Sequence, residues 1–167
     1  MAKGDLLLFD AEPGYREDGV VSIDSDNWAI ALLSDPVTAL LVSESNPALG
    51  SANCNEVSPG GNYPSGGIDL TLNNSRANGI HKMVLDTGVH TSGIVSIAAN
   101  AGNPTNVFTA LLYSKTATSP ADAAIGYIDL TENGGVTGID LTGVTLNMTF
   151  GTGGNPGEIC FFQTDNP

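Results

Sequence analysis

Apolar and polar residues alternate with a period of two along several short segments of the chain. In residues 144–150, Val144, Leu146, Met148 and Phe150 share one face, and the Thr and Asn residues between them share the other. This is the pattern of a half-buried β-strand. The same criteria predict further strands in residues 20–23, 28–33, 37–42, 68–72, 80–86, 94–98, 125–131 and 158–162.

Residues 107–113 are apolar on both faces, which is typical of a strand buried on both sides. We predict that it is a central strand; burial by a neighbouring subunit is the alternative. Helical periodicity is nearly absent. Ser119 as an N-cap and Pro120 at the first helical position predict one or two helical turns before the strand at residue 125.

Connectors rich in Gly, Pro and Asn separate these eight to ten short strands, and one loop, residues 43–67, is long. Many short strands with regular turn signals favour an all-β protein, an antiparallel two-sheet sandwich of jelly-roll type. With 167 residues the chain fits one domain. We assign the sandwich to residues 20–167 and an N-terminal arm or edge segment to residues 1–19, in which Glu12, Pro13 and Gly14 separate the apolar residues 6–9 from the sandwich.

Charge limits the classes of partner. Eighteen acidic residues face five basic ones, giving a net charge of −13, and such a field repels both nucleic acid and anionic lipid. No stretch reaches transmembrane length. Charged residues are 14% of the chain, against roughly 25% in ordinary domains. A neutral polar surface meets another protein without desolvating many charges.

The sequence contains no recognisable set of catalytic, cofactor-binding or metal-binding residues. Asp24, Ser25 and Asp26 begin like a calcium loop, but the later ligand positions are wrong, so a turn is predicted. His81 and His90 lack a clustered third ligand for zinc, and His81 is expected to be a half-buried structural residue. Cys54 and Cys160 suit free, buried thiols better than a disulfide. A polysaccharide hydrolase with two catalytic carboxylates stays open as an alternative.

In order along the chain, several segments resemble small structural proteins encoded beside the major capsid gene of tailed phages. The similarity covers most of the chain and is one of pattern and order. The segments are residues 6–9, 23–26, 28–33, 63–67, 68–72, 108–113 and 124–130.

The resemblance implies a head decoration, or cement, protein that binds the major capsid protein on the virion exterior as a homotrimer, after folding in the host cytoplasm. It carries no catalytic residues. We predict that the N-terminal segment contacts the capsid through Leu6, Leu7, Leu8, Phe9 and Tyr15, with an ordinary edge strand as the alternative. A receptor- or glycan-binding module is the second hypothesis; exposed Trp28, Tyr63 or Tyr15 on one face would favour it.

Overall fold

The structure is a computed structural model that describes residues 4–40, 42–77, 80–131, 135–151 and 156–163. Its regular structure is mostly antiparallel β-sheet, which confirms the all-β class. The chain divides into a larger compact unit, Met1–Asp69 with Ile97–Leu146, and a smaller one, Leu70–Ser96 with Asn147–Pro167. No helix among the described residues has the length and apolar character needed to cross a membrane.

The described residues form ten strands and one α-helix. In chain order these are β1 (Leu6–Leu8), α1 (Glu12–Glu17), β2 (Trp28–Leu33), β3 (Ile68–Leu70), β4 (Ser75–Ala77), β5 (Ile80–Val84), β6 (Ile94–Ile97), β7 (Thr109–Ser114), β8 (Ala124–Asp129), β9 (Leu146–Thr149) and β10 (Glu158–Gln163).

A five-stranded sheet in the order β1-β8-β7-β2-β3 dominates the larger unit. Every residue of β2, β7 and β8 is buried. The segment that is apolar on both faces lies in β7, between β8 and β2, so the prediction of a central strand is confirmed. The register pairs Ile30 with Leu112 and Leu112 with Gly126. Residues paired across neighbouring strands lie on the same face of the sheet.

One face of this sheet is covered by the connection between β2 and β3, whose described residues form no strand. Ala29, Ala31 and Leu33 of β2 lie in one hydrophobic cluster with Leu40 and Cys54, which come from the connection between β2 and β3. Val37 and Leu49, from the same connection, pack against the cluster. Burial of that apolar area stabilises the unit at roughly 25 cal/mol per Å².

The smaller unit contains the three-stranded sheet β10-β5-β4. The Lys82 Nζ on β5 donates to the Glu158 carboxylate on β10 at 2.7 Å. Cys160 lies 4.0 Å from the Met83 sulphur, Sγ to Sδ. A third sheet, of two strands, pairs β6 with β9.

Two predicted strands are wrong. Residues 20–23 form no strand, because the N–H groups of Val20 and Val21 both donate to the Tyr15 carbonyl and end α1. Residues 37–40 and 42 form turns after Pro36; residue 41 lies outside the described residues. Val21, Ile23 and Leu40 of these segments are nevertheless buried, at 3%, 5% and 3% exposure, whereas Val42 is 38% exposed. The pattern therefore indicated burial for part of each segment and secondary structure for neither.

The predicted helix at Ser119 is also wrong. Thr118 and Ala121 form an isolated β-bridge across a tight turn, and Asp122 has a φ of 54°, a left-handed conformation that an α-helix excludes. The helix that does form, α1, begins after Ala11 with Pro13 in its first turn. Its six residues include Gly14 and have no side-chain N-cap, so its signal in the sequence is weak.

Candidate docking surface

The N-terminal segment that the sequence singled out forms an edge strand. β1 pairs only with β8, with Leu6 opposite Ile128, Leu7 opposite Tyr127 and Leu8 opposite Gly126. Just beyond β1, the Phe9 N–H donates to the Ile125 carbonyl at 2.9 Å. In an antiparallel pair, hydrogen-bonded positions alternate. Leu7 therefore directs its N–H and C=O toward β8, whereas Leu6 and Leu8 direct theirs away from the sheet.

The outward backbone groups of Leu6 and Leu8 are available. Within the part of the chain that the structure describes, no group bonds to them. The edge ends at Asp10, whose N–H donates to the Val42 carbonyl at 2.7 Å. The free edge is thus short: two N–H and two C=O groups, with Asp5 and Asp10 at its ends.

A glycine lets β1 approach β8. A Cβ added at Gly126 would lie 2.6 Å from the Leu7 carbonyl oxygen, and within 3.1 and 3.2 Å of the Leu6 and Leu8 side chains. Contacts under 3.0 Å do not occur for real Cβ atoms. Glycine at this position of β8 is therefore a requirement for the observed packing of β1.

The five predicted partner-binding residues divide into two groups. Leu6, Leu7 and Leu8 are half-buried, and their role in binding stays a prediction. Phe9 and Tyr15 are core residues, 1% and 7% exposed. The Phe9 ring lies 5.1 Å from that of Tyr127, centroid to centroid. Phe9 packs in the hydrophobic cluster of the sheet, and neither Phe9 nor Tyr15 presents more than a small surface to a partner.

Helix α1 holds Tyr15 in the interior and carries acidic residues. Glu12 is buried and pairs with Arg16 one turn later. Burial raises the pKa of the Glu12 carboxyl, and the Arg16 guanidinium partly opposes that shift. Asp5 and Asp10 are exposed, as are Glu17 and Asp18 at the end of α1. Of these, Asp5 and Asp10 flank β1 in the chain and place one acidic residue at each end of the free edge.

The aromatic residues that would build a sugar-binding face are interior. Trp28 and Tyr63 are each 1% exposed, and Tyr15 is 7% exposed. The two other tyrosines, Tyr113 and Tyr127, are 1% and 2% exposed. Sugars stack on exposed aromatic rings, and the described tyrosines and the single tryptophan offer none. This arrangement disfavours the glycan-binding hypothesis.

Tyr63 and Tyr113 instead tie the long loop to the central strands. The Tyr63 hydroxyl donates to Glu56 at 2.8 Å and accepts from the Leu32 N–H at 2.8 Å. Glu56 also accepts from the Gly66 N–H at 2.8 Å. The Tyr113 hydroxyl donates to the Gly66 carbonyl at 2.6 Å. Burial, above all, raises the pKa of both phenols far above the usual range.

The calcium-like segment is a turn, as predicted. Its Asp26 carboxylate accepts from the Ser22 N–H at 3.0 Å and from the Ser114 hydroxyl at 2.7 Å. The first bond closes the turn on itself, and the second fastens it to Ser114 at the end of β7. The donors are protein groups, so this carboxylate acts as a structural acceptor.

The histidines have separate roles. His90 accepts the Thr71 N–H at its Nε2 atom, 3.0 Å away, and its pKa is lowered mainly by burial, with Asp86 opposing. His81 is half-buried on β5, as predicted. No group of three His, Cys, Asp or Glu side chains in the described ranges is placed to hold a metal ion.

Both cysteines are free; Cys54 is buried and Cys160 is half-buried. Burial raises the pKa of the Cys54 thiol, so this residue behaves as a small core side chain.

Comparisons of the chain with protein-family models, curated proteins and solved structures find no match.

Proposed function

We propose that this chain is a structural protein of a tailed-phage virion that binds the outside of the capsid and stabilises it by bridging neighbouring copies of the major capsid protein. The observation that carries the proposal is the free edge of β1, with Leu6 and Leu8 half-buried and their backbone groups directed outward. The resemblance of several chain segments to decoration proteins supports it independently. The role requires no catalytic residue, cofactor or metal.

The mechanism is linkage. A protein that binds only the assembled, expanded shell adds its binding free energy to that state, so that more heat or force is needed to break the shell. We assign a homotrimer to the functional form, because three linked copies turn weak single contacts into a strong attachment. The net charge of −13 keeps the protein away from packaged DNA and anionic lipid.

The finer fold that accompanies this proposal is a two-sheet sandwich of jelly-roll type. The antiparallel sheets supply strands of suitable length for it. Folding in the host cytoplasm, before attachment to the virion exterior, belongs to the same proposal. Electron cryomicroscopy of decorated capsids tests the sheet arrangement, the trimer and the position on the capsid together.

Replacing Leu6 and Leu8, the two leucines whose backbone groups point away from the sheet, is expected to weaken capsid binding. In Leu6→Ser with Leu8→Ser, the docking edge loses its apolar side chains, and the occupancy of expanded capsids should fall at least tenfold in co-sedimentation. Val89→Ser is the matched control, since Val89 is 60% exposed on a loop of the smaller unit.

The isolated double variant must keep its β-sheet circular dichroism for the comparison to count. A wild-type protein that does not bind capsids at all would overturn the proposed function. Unchanged binding by the folded double variant would show that β1 is not the docking surface.

A further inference from the structure

We infer that the free edge of β1 accepts a short extended strand of the partner protein, which has apolar residues at alternate positions and a basic residue at each end. This inference deepens the proposed docking role of β1 and rests on it. Its basis is the coincidence of three features: outward backbone groups, half-buried leucines and an acidic residue at each end of the edge.

The backbone sets the length of the occupant. Leu6 and Leu8 each offer one N–H and one C=O group to a new strand. Further along, the Asp10 N–H is already bonded to Val42. An added strand therefore makes about four ladder bonds, and pairs over some three residues of β1.

The side chains set its apolar pattern. Leu6 and Leu8 share the face of the sheet that includes Gly126, and both are half-buried. An added strand places alternate side chains beside these two leucines, at the spacing of cross-strand neighbours. Apolar side chains at those two positions complete the burial of both leucines.

The charges at the ends of β1 favour basic residues at the ends of the added strand, and they disfavour pairing with β1 of a second copy of this chain. Asp5 and Asp10 are exposed at the two ends of β1. If two β1 edges paired antiparallel, the acidic residues of both copies would come together at each end of the pair. Like charges across strands are destabilising, whereas basic residues at the ends of the occupant are attracted. The edge thus resists self-pairing and favours a cationic strand.

The test uses the intact isolated protein and two synthetic peptides, Lys-Thr-Val-Thr-Val-Thr-Lys and the same peptide with Glu at both ends, each acetylated, amidated and fluorescently labelled. Fluorescence anisotropy in 50 mM NaCl should show the basic peptide binding at least tenfold more tightly than the acidic one. The preference should shrink in 500 mM NaCl, because salt screens the end charges.

Two variants locate the binding. Asp5→Lys with Asp10→Lys should reverse the preference between the peptides and leave the fold unchanged, since both side chains are exposed. Leu8→Pro removes one outward N–H but no bond to β8, and proline is tolerated in edge strands. It should abolish binding of both peptides, whereas Leu8→Ala, which keeps the N–H, should retain part of it.

The inference is overturned if neither peptide binds, if both bind equally at low salt, or if Leu8→Pro binds as the wild type does. The assay contains no capsid. Peptide binding without capsid binding would therefore overturn the proposed function alone, and capsid binding without peptide binding would overturn this inference alone.

Discussion

Gly67→Ala is expected to destabilise the protein by about 3 kcal/mol or more, through two effects that add at one position. Gly67 has a φ of 73°, and a side chain in that region costs about 1–2 kcal/mol. Its added Cβ would also lie 2.2 Å from the Ile30 carbonyl oxygen of β2. Because that neighbour is backbone in a buried strand, relief requires the loop to move away, at a further cost of about 1–3 kcal/mol.

The measurement is thermal unfolding followed by circular dichroism. At this chain length, a loss of 3 kcal/mol lowers the Tm by about 6–12 °C. Gly14→Ala is the matched control: Gly14 lies in α1, and an added Cβ there meets nothing within 4 Å. That change should leave stability equal or raise it by up to about 1 kcal/mol. Equal Tm values for the two variants would show that the loop does not press on β2 as described.

The central strands were predictable because their sequences favour strands that are buried on both sides. Residues 28–33 and 107–113 are short, apolar on both faces and bounded by turn residues, and they form β2 and most of β7. Such segments are stable only when both faces are covered. The pattern therefore favoured both the extended conformation and the central position that the sheet order shows.

Residues 20–23 and 37–42 were not predictable by the same reasoning. Val21, Ile23 and Leu40 are buried, but the backbone groups of the described residues bond within turns and to the end of α1. A hydrophobic pattern reports which side chains leave water, and the covering of a sheet face by a loop uses the same residues as a strand would. Only the hydrogen-bond partners distinguish the two cases, and those depend on the tertiary fold.

The N-terminal segment is a candidate docking surface whose role stays a prediction, and the sequence did not predict its details. The apolar run at residues 6–9 identified it, yet Phe9 and Tyr15 are interior. Which leucines direct their backbone outward follows from the register with β8, and a register is a relation between distant segments. The close approach to Gly126 belongs to the same class of information, since nothing local marks that glycine as facing β1.

Raising the pH from 10 to 12 is expected to remove about 4–5 kcal/mol of stability from the larger unit. The cause is that Tyr63 and Tyr113 keep their protons in the folded state. In the unfolded chain a tyrosine has a pKa of about 10, and burial raises the pKa of both residues far above that value in the fold. Above pH 10 the unfolded state therefore binds fewer protons than the folded state, and stability falls as the pH rises.

The magnitude follows from the proton difference. Each tyrosine that stays protonated in the fold contributes a slope approaching about 1.4 kcal/mol per pH unit. Tyr15 and Tyr127, whose pKa values burial also raises, act in the same direction. Total stabilities are typically about 5–15 kcal/mol, so the loss is large enough to bring the unit close to unfolding by pH 12.

Phenolate absorbance at 295 nm and far-ultraviolet circular dichroism, followed together during alkaline titration, provide the measurement. The tyrosines should ionise in one cooperative step that coincides with the loss of β-structure.

Tyr113→Phe is the matched variant. It removes the donor to the Gly66 carbonyl, and because Gly66 is half-exposed, water can replace the hydroxyl. The slope of stability against pH should then fall by about 1.4 kcal/mol per unit. Repeating the titration in 1 M NaCl removes the contribution of rising negative charge. Gradual ionisation near pH 10 with the fold intact would contradict the burial of these phenols, and with it the network through which Glu56, Tyr63 and Tyr113 fasten the long loop to the central strands.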